Sequence, residues 1–328
     1  MKLRDSSIDL VKFLLIFLVV LGHSIQFFDV SKNINFDASI LYSWIYSFHM
    51  PLFMFVSGYL YKVKSLSKHD IYKKFKLLII PFVFWAIYSS IINRENVLTG
   101  IIDVFINPDS GLWFLYILFL CMCTVSFLKL YLSINGILIS TLIIILALLG
   151  LDIVIGYSSY GIGLYRWQIL FFVLGVYLKD KEDVLIEFIN NKRYLYLCVF
   201  LIVYGFSFLY WERIPSEFKV LSNPLFNSLM YIMIKYTCAI FAIFIFFIMK
   251  NTIKFNFDFG VVINKFIIWV SKNTLAFYAI QFSIIDVLIK LNWFQSSYFI
   301  SVVCFVFCAI LISFINRMKL LRMICFGR

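Results

Sequence analysis

Apolar residues run along this chain in long unbroken stretches, without the strict alternation of a half-buried strand. Ten such segments lie near residues 8–29, 39–61, 77–93, 111–132, 136–151, 160–178, 194–211, 223–249, 266–289 and 296–316. Most approach the ~20 residues that an α-helix needs to cross a hydrocarbon core of about 30 Å. The pattern predicts an all-α polytopic membrane protein, with about ten transmembrane helices in a single bundle and one domain over residues 1–328. An outer-membrane barrel would alternate polar and apolar residues over short strands, which this chain does not do. No repeat, low-complexity tail or second domain interrupts the series. The first segment has no small-residue cleavage site and carries Lys12 and His23, so it is read as a retained helix and not a signal peptide.

Composition agrees with the pattern. Of 328 residues 63% are apolar and 14% charged, with a mean hydropathy of +0.97, far more apolar than a soluble domain. The formal charge of +12 would by itself suggest a nucleic-acid partner, but its distribution points elsewhere. With the N-terminus in the cytoplasm, 22 of the 29 lysines and arginines fall on the cytoplasmic side, six fall on the other, and Lys235 lies inside a helix. The positive-inside rule then sets both termini in the cytoplasm. The excess faces anionic lipid or an anionic cytosolic ligand, and no nucleic acid is expected. Seven scattered cysteines, none in a C-x-x-C arrangement, read as small apolar filling and suggest no metal site.

Against so apolar a background, the ionisable residues stand out. Asp9 and Lys12 are three apart at the entry of the first helix and can neutralise one another. Eleven helical steps, about 16 Å, carry His23 onward into the bilayer. The second helix enters from the other side, and His49 lies about ten residues in, at a similar depth. Helices joined by a short loop are natural neighbours, so both histidines are candidates for one site. An intramembrane histidine is either functional or a neutral group satisfied by a carbonyl or hydroxyl of a neighbouring helix. Just beyond His49, Pro51 frees carbonyls of the kind that serve a cavity, while Ser57 and Gly58 permit close backbone approach, commonly for packing alone. The stretch KVKSLSKHDIYKKFK holds six lysines in fifteen residues. It is a topological anchor on one reading and a phosphate-binding surface on the other.

Taken together, IDLVKFLLIFLVVLGH, FHMPLFMFVSGYLY, the basic run leading to LLIIPFVFW, then LWFLYILFL, FFVLGVYL and SKNTLAFYAIQF resemble the acyltransferase-3 family of polytopic membrane acyltransferases. The branch most similar is that of bacterial surface-glycan O-acetylases, fucose 4-O-acetylase-like. In that family an arginine precedes the first-helix histidine with ten residues between them. Lys12 stands there in this chain, keeping the charge without the bidentate fork. A pair of arginines separated by two residues precedes the third helix of the family, and Lys73 and Lys76 have that spacing here. Alignment on Pro81 places Lys74 and Leu77 there instead. Where Gln281 stands, members often carry a histidine, so that residue performs no proton transfer in this chain.

The resemblance implies an enzyme of the bacterial cytoplasmic membrane that binds no resident cofactor and uses acetyl-CoA as a co-substrate from the cytoplasm. Its acceptor would be a hydroxyl of a glycan or of its lipid-linked precursor, with membrane lipids around it. His23 is the candidate base, or a transiently acylated nucleophile. His49 is its competitor or orients substrate. Lys12, Lys73, Lys74 and Lys76 are candidates for the donor phosphates, and Ser57 and Trp113 for lining the binding site. A transporter or flippase of glycan or lipid precursors would also explain ten helices, midplane histidines, Lys235 and Asp286, although no two-half repeat is recognisable. A membrane scaffold with structural histidines is the third class.

Overall fold

In a computed structural model of the chain, residues 5–64, 67–155, 160–214, 218–256 and 260–328 are described. Among them the ordered structure is helical, with no strand. In chain order the helices are α1 (Ser6–Ser31), α2 (Ile40–Leu60), α3 (Lys68–Asn93), α4 (Val97–Ile106), α5 (Trp113–Leu128), α6 (Ile134–Ile155) and α7 (Ile162–Lys179). They continue with α8 (Glu182–Asn191), α9 (Arg193–Leu209), α10 (Pro224–Asn256), α11 (Val261–Lys272), α12 (Thr274–Leu291), α13 (Ser297–Ile315) and α14 (Lys319–Phe326). Every one of the ten apolar segments holds a helix. Among the described residues eight helices, namely α1, α2, α3, α6, α7, α10, α12 and α13, are long and apolar enough to cross a membrane. The other two segments hold α5 and α9, of 16 and 17 residues. The chain is thus a multi-pass helical membrane protein.

Two departures from the apolar pattern have a local reason. Ser67 caps α3, its Oγ accepting from the Asp70 amide at 3.1 Å and donating to the Asp70 carboxylate at 2.7 Å. The signal is the Ser-x-x-Asp spacing of a capping box. The basic run is therefore not wholly a loop: Lys73, Lys74 and Lys76 lie on the first turns of α3. The segment near 266–289 is broken at Asn273, which ends α11 and opens α12.

Packing divides the chain into two compact units. The first comprises Met1–Phe53 and Lys181–Ala309. Helix α1 is its axis: 61% of its apolar window is buried, against 17% for α6 in the other unit. It packs on α10, α11 and α12. Phe13 and Phe17 meet the ring of Phe305 edge-on at 5.9 and 5.6 Å, and Phe305 stacks on Phe277 at 4.7 Å. The buried Lys250 of α10 binds Glu182, at the start of α8, and Asp5, the N-cap of α1, at 3.5 Å. Two carboxylates on one buried ammonium tie three helix ends together.

The second unit comprises Met54–Asp180 and Ile310–Arg328. There the final turns of α2 cross α7 at two glycines. A Cβ on Gly58 would overlap the Phe172 carbonyl, and one on Gly175 would overlap the Phe55 carbonyl. Each glycine admits the other helix's backbone, the close approach expected of small residues between membrane helices. On α3, the Trp85 indole donates to the Cys325 carbonyl at 3.1 Å, and Gly327, at φ +71°, lies against the backbone of Lys76 and Leu77. Helix α14 is so held against α3. Ile139, Ile143 and Leu146 are exposed along α6, the apolar face expected toward lipid.

Candidate functional site

In the first unit the middle of α1 and the first half of α2 bring both intramembrane histidines to one place. Gly22, the residue before His23, opens it: a Cβ there would touch the Tyr46 ring at 3.0 Å and Ile45 at 3.5 Å. Tyr46 fills the space and stands between the histidines. Its ring centroid is 6.4 Å from that of His23 and 4.7 Å from that of His49, nearly edge-on to the first. The Tyr46 hydroxyl donates to Oε1 of Gln26, one turn beyond His23, at 3.0 Å. From α12, Phe282 packs on the imidazole of His23 at 4.6 Å. The Gln281 side chain faces the same imidazole.

The two histidines are held differently. His49 is 2% exposed, and its Nδ1 is 2.7 Å from the carbonyl of Ile45 in its own helix. A carbonyl only accepts, so Nδ1 carries the hydrogen and donates, which leaves Nε2 as the lone-pair nitrogen. His23 is only half-buried and therefore keeps an accessible edge, although its Nδ1 is buried without a hydrogen-bond partner. Of the pair, His23 is the more exposed.

Lys12 lies nearer the start of α1 and is committed locally. It donates to the Ser271 carbonyl at 2.5 Å, and the Ser271 hydroxyl donates to Asp9 at 2.5 Å. The charged pair of α1 is thus joined through the last turn of α11, where a cation compensates the helix's partly negative end. The sequence offered the Asp9–Lys12 pair but not its partner, because Ser271 is distant in the chain and hydroxyls are common in membrane helices.

In the second unit, Lys74 donates to Ser126 on α5 at 2.7 Å and lies 5.1 Å from the centroid of the Tyr61 ring. Tyr61 in turn shares a 2.5 Å hydrogen bond with the same Ser126. Lys73 is exposed on the neighbouring face of α3, and Lys76 is half-buried. Ser57, one residue before the Gly58 crossing, is half-buried, and so is Trp113 at the first position of α5. The site candidates thus fall into two sets: Lys12, His23 and His49 in the first unit, and Ser57, Lys73, Lys74, Lys76 and Trp113 in the second.

Two further ionisable residues that the sequence placed among the helices have mundane partners. Lys235 lies 4.2 Å from the centroid of the Trp211 ring and 5.1 Å from that of Tyr231, and donates to the Arg213 carbonyl at 3.2 Å. Asp286 pairs with the exposed Lys290 one turn on, at 2.6 Å. Arg213 itself makes two bonds to Asp37, at 2.7 and 3.0 Å. That carboxylate holds the guanidinium pKa above its ordinary value. The fork ties the α1–α2 connection to the α9–α10 connection.

Tyr46, Gln26 and Gln281 are the site members that sequence reasoning missed as such. For Tyr46 a signal existed, since Tyr46 and His49 are three apart and share a helix face.

Comparison with known proteins adds a lineage to this geometry. The nodulation protein NolL of Sinorhizobium fredii is 34% identical over 122 residues, 34% of this chain and 33% of that protein. NolL of Mesorhizobium japonicum is 32% identical over 126 residues, 36% of this chain and 34% of that protein. The matched stretch spans about a third of the length of these curated relatives. No solved structure matches significantly. The family described as "Acyltransferase domain", Acyl_transf_3, matches residues 5–317, nearly the whole chain and both histidines included. The chain belongs to this acyltransferase-3 family.

Proposed function

We propose that the protein is a membrane O-acetyltransferase that moves an acetyl group from acetyl-CoA to a hydroxyl of a cell-surface polysaccharide or of its lipid-linked precursor. It would work in the bacterial cytoplasmic membrane with both termini in the cytoplasm. The observation that carries the reading is the pair of histidines around Tyr46, of which His23 is the more exposed. Family membership supports acyl transfer as the reaction class.

Acyl transfer to an alcohol requires removal of the hydroxyl proton as oxygen attacks the thioester carbonyl. Neutral imidazole suits that task near pH 7. In this scheme the acceptor oxygen bonds to the acetyl carbon, His23 takes the hydroxyl proton, and the C–S bond breaks. His23 then returns the proton to the departing CoA thiolate, so the enzyme ends as it began. The donor's phosphates need cations. Lys12 and Lys74 are engaged in bonds of the fold, which leaves exposed Lys73, with Lys76 beside it, as the lysines best placed to meet a cytoplasmic anion.

The test is acceptor-dependent CoA release by purified protein in lipid nanodiscs, with labelled acetyl-CoA and bacterial surface glycans or their lipid-linked precursors. Label should appear on the glycan. Lys73→Glu should raise the KM for acetyl-CoA by about tenfold, the equivalent of one charge-assisted contact, with little change in melting. Absence of label on either acceptor class from folded protein contradicts the activity. An unchanged KM returns the lysines to the role of topological anchor.

A further inference from the structure

Among the described residues of the first unit, the buried polar atoms without a hydrogen-bond partner include Nδ1 of His23 and Oε1 of Gln281. Phe282, the residue after Gln281 on α12, packs on the His23 imidazole at 4.6 Å, and the Gln281 side chain lies within reach of the same ring. Buried polar atoms are nearly always paired, so these two orphans call for an explanation. Gln281 is fully buried, and the orientation of its amide is fixed. Its Nε2 donates to the Tyr278 carbonyl one turn back on α12, at 3.1 Å. Turning the amide over would set Oε1 against that carbonyl, acceptor against acceptor. The end left toward the imidazole is the acceptor.

We propose that Gln281 is the positioning residue for His23, its Oε1 accepting the Nδ1 hydrogen so that Nε2 faces the acceptor hydroxyl unprotonated. The assignment rests on His23 being the base of the proposed reaction. A neutral imidazole carries one donor and one acceptor nitrogen, and the bond made by one decides the state of the other. When Nε2 takes the hydroxyl proton, Nδ1 keeps its hydrogen and Oε1 continues to accept it. The amide therefore serves the resting and the protonated imidazole alike. A carboxylate would do the same, but at the cost of an ionised group deep in the bilayer.

The other groups around His23 do not offer this contact. Tyr46 and Phe282 present ring atoms, and the Gln26 oxygen is taken by the Tyr46 hydroxyl. His49, beyond Tyr46, has its Nδ1 bonded to Ile45. Cys304, on α13, approaches the backbone carbonyl of Gln281 at 3.8 Å and not its amide.

Because the chain has only three histidines, its imidazole nitrogens can be resolved by ¹⁵N spectroscopy of histidine-labelled protein in nanodiscs, with His23 assigned by its loss in His23→Ala. The Nδ1–H form is expected at His23 in the wild-type protein. In Gln281→Met, which keeps the volume and removes the acceptor, that single form should be lost and kcat should fall at least tenfold at nearly constant KM. An Nε2–H form in the wild type, or a spectrum and kcat unchanged in Gln281→Met, overturns the assignment. The wild-type spectrum decides even where the variant fails to fold. Full activity of His23→Ala beside the expected spectrum overturns the role of the pair in catalysis, and with it the reading of His23 as base, while leaving the hydrogen bond in place.

Discussion

At the scale of single residues, the chain separates charges that hold the fold from groups free to do chemistry. Lys250 is the clearest of the first kind: its ammonium is buried between Glu182 and Asp5. Replacing it by methionine keeps the apolar stem but leaves two carboxylates without their cation. Breaking a buried pair from one side costs about 3–5 kcal/mol. Lys250→Met should therefore lower the melting temperature clearly in detergent, and a denaturation curve superimposable on wild type would contradict the clamp. That role was not legible in the sequence, where Lys250 reads as one more positive-inside charge. His23 and His49 were legible because a histidine is rare in an apolar run. Which of them is the more exposed was not, since the answer depends on a backbone carbonyl for one and on packing by Tyr46 and Phe282 around the other.

At the scale of elements, the crossing of α2 with α7 depends on having no side chain at two positions. Gly58→Ala or Gly175→Ala forces a methyl into a backbone carbonyl, and backbone cannot step aside as a flexible side chain can. Overpacking of this kind costs about 1–3 kcal/mol or more. Gly150, inside α6, has nothing within 4 Å of an added Cβ. Gly150→Ala should leave the protein as stable as before or slightly more so, since alanine favours a helix by up to about 1 kcal/mol. Thermal unfolding of the three variants side by side checks this, and an equal loss in all three would refute the close crossing. Ser57–Gly58 announced a small-residue contact in the sequence, but not its partner. Apolar runs likewise gave the existence of helices but not the break at Asn273, because hydropathy marks what lies in the membrane and says little about where a helix is interrupted. The short α4, α8 and α14 escaped for the converse reason, being too short or too mixed to form apolar segments.

At the scale of the whole molecule, the charge division is the strongest statement the sequence makes about orientation. On the proposed topology the lysine-rich start of α3 lies in the cytoplasm, the side from which the proposed CoA ester would arrive. Ser67 is a poor place to test this because it caps α3. Lys64 is exposed just before it. With the exposed Cys198 replaced, Lys64→Cys should react with a membrane-impermeant maleimide only after the inner face is opened. Labelling of intact cells from outside would invert the topology and remove the route for a cytoplasmic donor.

The central claim is that His23 takes the proton during acyl transfer, and its most direct test compares His23→Ala with His49→Ala. Acetylation rate and melting behaviour should be measured on the same purified samples. Loss of a general base typically costs about 10²–10⁴ in rate. The account predicts a loss of that size for His23→Ala with melting close to wild type. It predicts that His49→Ala lowers stability, because it empties a buried, hydrogen-bonded position. A His23→Ala protein that inserts, folds and acetylates within a few-fold of wild type would contradict it.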